Sequence, residues 1–404
     1  MFNRRIYLDF ASLTPIDRRV LSTVKKYSKE QFANPSSWYK EGVAAKKVLT
    51  DSRKTVAEYI HAHADEITFT SGGTESNNLA IQGVVAAALE QGMKYQDMHL
   101  VSTVIEHSSV LECIRALGNK GVVFDLVEVD SNGVIKPDDL KRKIRPNTIL
   151  VSVMTVNNEI GTVQPIREIA KIIRQARNKR EDGGKGEAIH NDQQKPNYPL
   201  FHTDAAQGLY QELNVEMLGV DLLTLDGSKM YGPRGIGCLY IKRNTPIRPI
   251  TFGGGQENGL RSGTENIPAI AGFATACAVV NSTRASESTR LTQLRTYFID
   301  QLRSVIPHLG VNGSPVHADS PGASPHIVNV SIPGIDNEFL VLQLDAKGIA
   351  VSTKSSCLRD EKESYVLKAI GANSASSIRF SFGRSTSKRQ LDRTVSIMKS
   401  LVHK

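Results

Sequence analysis

Seven short apolar segments set the fold of this chain. They are EITFT (66–70), MHLVST (98–103), VVFDLVEV (122–129), TILVSVM (148–154), LFHTDA (200–205), DLLTLD (221–226) and GCLYIK (237–242). Amphipathic helical patterns fall between most of them, at about 38–60, 75–92, 108–119, 137–145 and 165–179. Pro165 suits the first turn of the last of these. Strands that alternate with helices predict an α/β fold, with a mostly parallel sheet covered on both faces. In such sheets ligands bind beyond the carboxyl ends of the strands. The polar residues closing these segments are therefore where chemistry is expected.

After the glycine-rich stretch FGGGQENGLRSGTEN (252–266) the rhythm changes. A long helical pattern runs to about 306, followed by PHIVNVSIP, the helix DNEFLVLQLDAKG, IAVS, the helix ESYVLKAIG, the strand SIRFSF and a last helix. This predicts a second, smaller α+β domain. The polar segment 177–199 has no periodicity and reads as a mobile surface insertion.

Of the 404 residues, 40% are hydrophobic and 23% charged, an ordinary composition for a globular protein. No apolar run approaches the ~20 residues that a spanning helix needs. The N-terminus lacks a signal-peptide core, so a cytoplasmic protein with no membrane partner is expected. The net charge is +9, but Lys and Arg are scattered and no basic stripe is interleaved with aromatics, so direct nucleic-acid binding is not expected. No metal site is expected either. The four cysteines lack zinc spacing, and His61 and His63 read as surface residues. Cys113, Cys238 and Cys277 sit in apolar patterns, whereas Cys357 lies in STKSSCLRDEKES and belongs on an exposed loop.

Three strand ends carry chemistry. SGGT (71–74) leads from a strand into a helix: a phosphate cradle, or a glycine turn with a threonine cap. Asp204 and Gln207 close LFHTDA. The carboxylate is a helix cap, or the partner of a cationic ring nitrogen. Lys229 closes DLLTLDGSK, where partial desolvation lowers an amine's pKa and lets it form imines with carbonyls. Taken together, the three call for pyridoxal 5'-phosphate.

On these residues the chain resembles the pyridoxal-phosphate-dependent cysteine desulfurases. The resemblance runs from YLDFASLTP to SIRFSFGR. It takes in NPSS, FTSGGTESNNLAI, EHSSVL, ILVSVMTVNNEIGTVQPI, HTDAAQ, DGSKMYGPRGIG, GGGQENGLRSGTEN, AVSTKSSC and SYVLKAIG. It implies a fold-type I transferase with a seven-stranded sheet. The large domain would span 18–256, and residues 1–17 and 257–404 would form a small domain carrying the catalytic cysteine loop. It also implies conversion of L-cysteine to L-alanine, with the sulfur left as a persulfide on Cys357. By resemblance, Lys229 attaches the cofactor, Asp204 partners its ring nitrogen and His107 stacks on the ring and assists proton transfer. Asn158 and Gln207 bond the phenolic oxygen, and Gly73, Thr74 and Ser228 hold the phosphate. Asn34 and Arg379 hold the substrate carboxylate. Thr264 reaches the phosphate of a neighbouring subunit, implying a homodimer. Lys354 and Arg359 flank Cys357 and favour its thiolate. The sulfur would pass to an acceptor protein, a cluster scaffold for iron–sulfur assembly or a tRNA-thiolation enzyme. Rival readings are a selenocysteine lyase, an aminotransferase or a non-catalytic partner protein.

Asp226 departs from the pattern, which carries a phosphate-donating serine there. It is expected to turn away, to pair with a cation such as Arg234, or to weaken cofactor binding, with Ser228 supplying the missing donor. Trp38 is expected to pack beside NPSS.

Overall fold

The computed structural model describes residues 5–30, 32–183, 197–315, 322–353 and 363–402. The predicted loop around Cys357, with Lys354 and Arg359, lies outside the described residues. The strands are β1 Ile6–Tyr7, β2 Ile67–Thr70, β3 His99–Thr103, β4 Val123–Val127, β5 Thr148–Ser152, β6 Leu200–Asp204, β7 Leu222–Asp226, β8 Gly237–Ile241, β9 Gly310–Asn312, β10 Ile327–Ser331, β11 Ile349–Ala350 and β12 Ser377–Ser381. The helices are α1 Arg18–Glu30, α2 Lys40–Tyr59, α3 Gly73–Glu90, α4 Ser108–Gly118, α5 Pro137–Lys143, α6 Ile166–Gly183, α7 Val215–Leu218, α8 Ile267–Val305, α9 Asn337–Ala346, α10 Tyr365–Ala369 and α11 Lys388–Val402.

The seven apolar segments form one sheet in the order β2-β8-β7-β6-β5-β3-β4. β4, β3, β5, β6 and β7 run parallel, while β8 runs antiparallel to both β7 and β2. Alternate residues of the central strands serve opposite cores. Val101, Val151, Phe201 and Leu223 belong to one buried cluster, and Leu100, Leu150, Leu200 and Leu222 to another. That is why these strands read as continuous apolar runs. Covering helices on both faces leave the ends of β2, β3, β5, β6 and β7 to meet at one edge. The remaining strands make an antiparallel β12-β10-β9 sheet and a parallel β1-β11 pair. α6 continues through Gly183, into the stretch expected to be an insertion.

The loop between β8 and α8 is pinned to the sheet by one buried acid. Arg53 of α2 donates two hydrogen bonds to Glu257, both at 2.7 Å, and the Phe69 amide of β2 donates a third at 2.8 Å. Glu257 itself sits at positive φ (49°), so the loop is held in a costly backbone shape by these contacts. Glu257→Ala leaves the Arg53 guanidinium without its partner and is expected to cost about 3 kcal/mol, readable as a lower urea midpoint.

Candidate active site

Gly237 explains why the carboxyl ends of β2 and β7 lie so close together. It pairs with Thr70 on one side and with Asp226 on the other. A Cβ there would come within 2.6 Å of the Leu225 carbonyl and 2.8 Å of Gly72 Cα. Without that side chain, the turn after β7 and the start of α3 can share one cavity.

The cavity holds about 310 Å³. Gly73, Thr74, His107, Asn158, Asp204, Gln207, Ser228, Lys229 and Arg379 all line it. Sequence reasoning had named each of them, on six separate stretches of chain. Asn34 and Thr264 are exposed and do not line it. Asn34 instead caps its own turn, its Oδ1 accepting from the Ser36 amide at 2.9 Å. Trp38 does not pack beside NPSS: it is 97% exposed. Two apolar residues of that stretch and the next helix, Tyr39 and Val43, are exposed with it.

Two residues that sequence reasoning missed tie the site together. Asn77 lies one helical turn after Thr74, so its side chain points to the same edge. Its Nδ2 donates to Asp204 Oδ2 at 2.7 Å and to Ser109 Oγ at 2.8 Å. Asp204 Oδ1 accepts from the Ala206 amide at 2.9 Å. Ser109 Oγ lies 2.8 Å from His107 Nδ1, which also accepts from the Ser109 amide at 3.2 Å as the cap of α4. With Nδ1 accepting, the imidazole carries its proton on Nε2. A continuous chain thus runs from His107 through Ser109 and Asn77 to Asp204. The i to i+3 spacing from the glycine turn was the available signal for Asn77.

Gln207 is fixed at both ends of its amide. Nε2 donates to the Ala11 carbonyl at 2.8 Å, and Oε1 lies 3.2 Å from His326 Nε2. Burial, and then the nearby Arg379 charge, push the His326 imidazole down to about 3, so it stays neutral. Beneath His107, Glu106 joins the ends of β3 and β5, Oε1 accepting from Thr103 Oγ1 (2.7 Å) and the Met154 amide (2.9 Å). Burial pushes this carboxyl up to about 8, against those two hydrogen bonds. Lys229 ends the turn after β7, and its Nζ donates to the Ala11 carbonyl at 3.1 Å and to the Ser12 carbonyl. Arg379 reaches from β12, giving Nη1 to the Asn158 carbonyl (2.8 Å) and Nη2 to Asp9 Oδ1 (2.8 Å) and Ser12 Oγ (2.9 Å).

Of the expectations for Asp226, the first fails. It does not turn away: Oδ2 accepts from the Gly73 amide at 3.1 Å. Ser228 is no spare donor, because its amide (2.8 Å) and hydroxyl (2.6 Å) both donate to Asp226 Oδ1.

The class V aminotransferase profile matches residues 6–179 and 187–394. A cysteine desulfurase IscS of Dictyoglomus turgidum is 38% identical over 99% of this chain and 95% of its own length. A mitosomal cysteine desulfurase of Trachipleistophora hominis is 39% identical over 98% of this chain and 87% of its own. Among solved structures, a NifS-like protein superposes with a TM-score of 0.86 at 30% identity, covering 99% of both chains. SspA in complex with cysteine superposes at 0.76 with 31% identity, covering 93% of this chain and 98% of its own. The chain belongs to the class V aminotransferases and, within them, to the cysteine desulfurase family.

Enzymes of this family depend on pyridoxal phosphate. The donor set here suits the ring end of that cofactor. A fixed carboxylate (Asp204), an oriented imidazole (His107), an oriented amide (Gln207) and an amine (Lys229) face one cavity. Gly73 and Ser228 provide donors at the other end, although Asp226 engages both. The residues fit the cofactor, with one conflict at the phosphate end.

Proposed function

We propose that this chain converts L-cysteine to L-alanine and takes the sulfur onto Cys357 as a persulfide. The observation that supports the reading most is the gathering of Lys229, Asp204, His107, Gln207 and Arg379 around one cavity. Lys229 would attach the cofactor, Asp204 would keep its ring nitrogen protonated, and His107 would lie over the ring. Asn158 and Gln207 would meet its phenolic oxygen, and Gly73, Thr74 and Ser228 its phosphate. Pyridoxal phosphate, when bound, supplies the electron sink that lets the substrate Cα lose a proton.

The protein's own groups do the rest. Arg379 is buried, and its Nε has no hydrogen-bond partner among the described residues, which leaves a donor for the substrate carboxylate. Asn34 would join it. Lys229 Nζ takes the proton from Cα and later delivers one to Cβ, with His107 Nε2 assisting. Cys357 Sγ attacks the substrate sulfur: an S–S bond forms, the Cβ–S bond breaks, and Cβ becomes the methyl group of alanine. Carbon is reduced and sulfur oxidised in the same step, so no outside oxidant or reductant is required until the persulfide is passed on.

Exposed Phe32, Trp38, Tyr39 and Val43 crowd into one short stretch of chain and support a homodimer, since apolar side chains clustered in water mark an interaction surface. Thr264, exposed and away from its own chain's cavity, would complete the neighbour's site. An acceptor protein serving iron–sulfur assembly or tRNA thiolation would receive the sulfur. Among the described residues no helix is long and apolar enough to cross a membrane. A compartment that keeps thiols reduced suits Cys357, and we place the enzyme in the cytoplasm as one such compartment.

The test is product analysis. Cofactor-loaded protein is incubated with L-cysteine and a thiol reductant, and alanine and sulfide are measured. Equal amounts of the two are expected. A 2-oxo acid in place of alanine moves the assignment to an aminotransferase. Alanine from L-selenocysteine alone moves it to a selenocysteine lyase. Bound cofactor with no product favours a non-catalytic partner.

A further inference from the structure

One carboxylate occupies the anion-binding end of the cavity. α3 leaves Gly72, at φ 148°, with its first amides free of intrahelical partners. Gly73 N–H donates to Asp226 Oδ2 at 3.1 Å. The other oxygen, Oδ1, accepts the Ser228 amide at 2.8 Å and the Ser228 hydroxyl at 2.6 Å. Asp226 therefore caps two elements at once: the start of α3 and the turn Gly227–Lys229 that carries Lys229. The approach is close, since a Cβ on Gly73 would stand 3.2 Å from Oδ2. Gly73, Thr74, Asp226 and Ser228 line the same cavity as Lys229.

A phosphate group seeks the same things this carboxylate already has: helix-start N–H groups and a hydroxyl donor. These donors cannot serve two anions. A phosphate entering here must displace Asp226 from three hydrogen bonds or sit against its charge, and like charges a few ångströms apart repel strongly where water is sparse. An unphosphorylated aldehyde meets no such conflict.

We propose that Asp226 is a built-in anion that competes with the cofactor's phosphate for the start of α3, so that this chain holds pyridoxal phosphate loosely and distinguishes it poorly from pyridoxal. The inference rests on the functional reading above, in that it takes pyridoxal phosphate as the group the cavity serves. Asp226 is then a selectivity residue for the cofactor, and the enzyme exchanges its cofactor with the surrounding pool.

Equilibrium dialysis with visible absorbance measures the affinity for pyridoxal phosphate and for pyridoxal in wild type, Asp226→Ser and Asp226→Asn. The asparagine variant is isosteric and keeps an oxygen acceptor for Ser228, so it separates the charge from the capping should the serine variant fold poorly. Melting curves confirm that each variant is folded. The expected result is an affinity for pyridoxal phosphate raised roughly 10- to 100-fold in both variants, the factor that charge-assisted hydrogen bonds carry. Affinity for pyridoxal should barely change, so the ratio of the two rises by that factor. A ratio unchanged from wild type in both variants overturns the inference and leaves the desulfurase reading standing. Failure of every protein, variants included, to take up either aldehyde overturns both.

Discussion

Lys229→Ala is expected to slow alanine formation from L-cysteine by roughly 10²- to 10⁴-fold, the range carried by a positioned proton-transfer group. The same change should lower the affinity for pyridoxal phosphate below that of wild type in equilibrium dialysis, because its covalent anchor is gone. Lys229→Arg keeps the charge but offers no transferable amine, so it should fall nearly as far. The placement of the lysine gives the reason. β7 delivers the chain to the sheet's edge, Asp226 caps the turn that follows, and Nζ extends along the carbonyls of Ala11 and Ser12 into the cavity. Removing the amine leaves those carbonyls without this donor, a stability cost of about 1 kcal/mol that a melting curve would separate from the catalytic loss. Added small amines should restore part of the rate. Retention of more than about a tenth of wild-type activity, set against that expected range, would remove Lys229 from the chemistry.

Much of this arrangement was legible in the sequence because the sheet is buried on both faces. Strands such as TILVS and LLTLD have no solvated side, so they appear as unbroken apolar runs bounded by polar residues, and their polar ends mark the site. α1 went unnamed although its signal was there: RRVLSTVKKYSKE spaces Val20, Val24 and Tyr27 at i, i+4 and i+7, the narrow apolar stripe of a helix whose other face is polar. The strands β1 and β11 are two residues long and exist only through their pairing with each other, a contact between residues more than 340 positions apart in sequence. In the site, motifs located Lys229, Asp204 and His107. They did not reveal what orients them. Asn77, Ser109 and His326 act through hydrogen bonds between separate elements, and a single sequence carries no sign of those pairings. Asp226 was visible as an anomaly. Its consequence depends on a register, in which Thr70 and Asp226 both face Gly237, and that register follows from the folded sheet.

Cys357→Ser is expected to abolish alanine formation while leaving cofactor binding intact. The argument comes from the other cysteines. The chain has four. Cys113, Cys238 and Cys277 are all buried. Burial pushes the Cys113 thiol up to about 12, and the thiols of Cys238 and Cys277 up as well. A thiol that does not ionise near neutral pH is a poor nucleophile, and a buried one can neither meet the substrate nor deliver sulfur to a partner. Cys357 is the remaining candidate, in the polar stretch STKSSCLRDEKES between two positive side chains. After incubation with sulfur-labelled L-cysteine, wild-type protein should carry label that a reductant releases, and Cys357→Ser should carry none. Cys113→Ala serves as the control. It should keep both label and turnover, and lose only the roughly 1 kcal/mol expected for vacating a small buried site. Alanine formed at wild-type rates by Cys357→Ser would mean that sulfur leaves the substrate without the help of this thiol. The cofactor-dependent cleavage of L-cysteine would stand, and the persulfide would not.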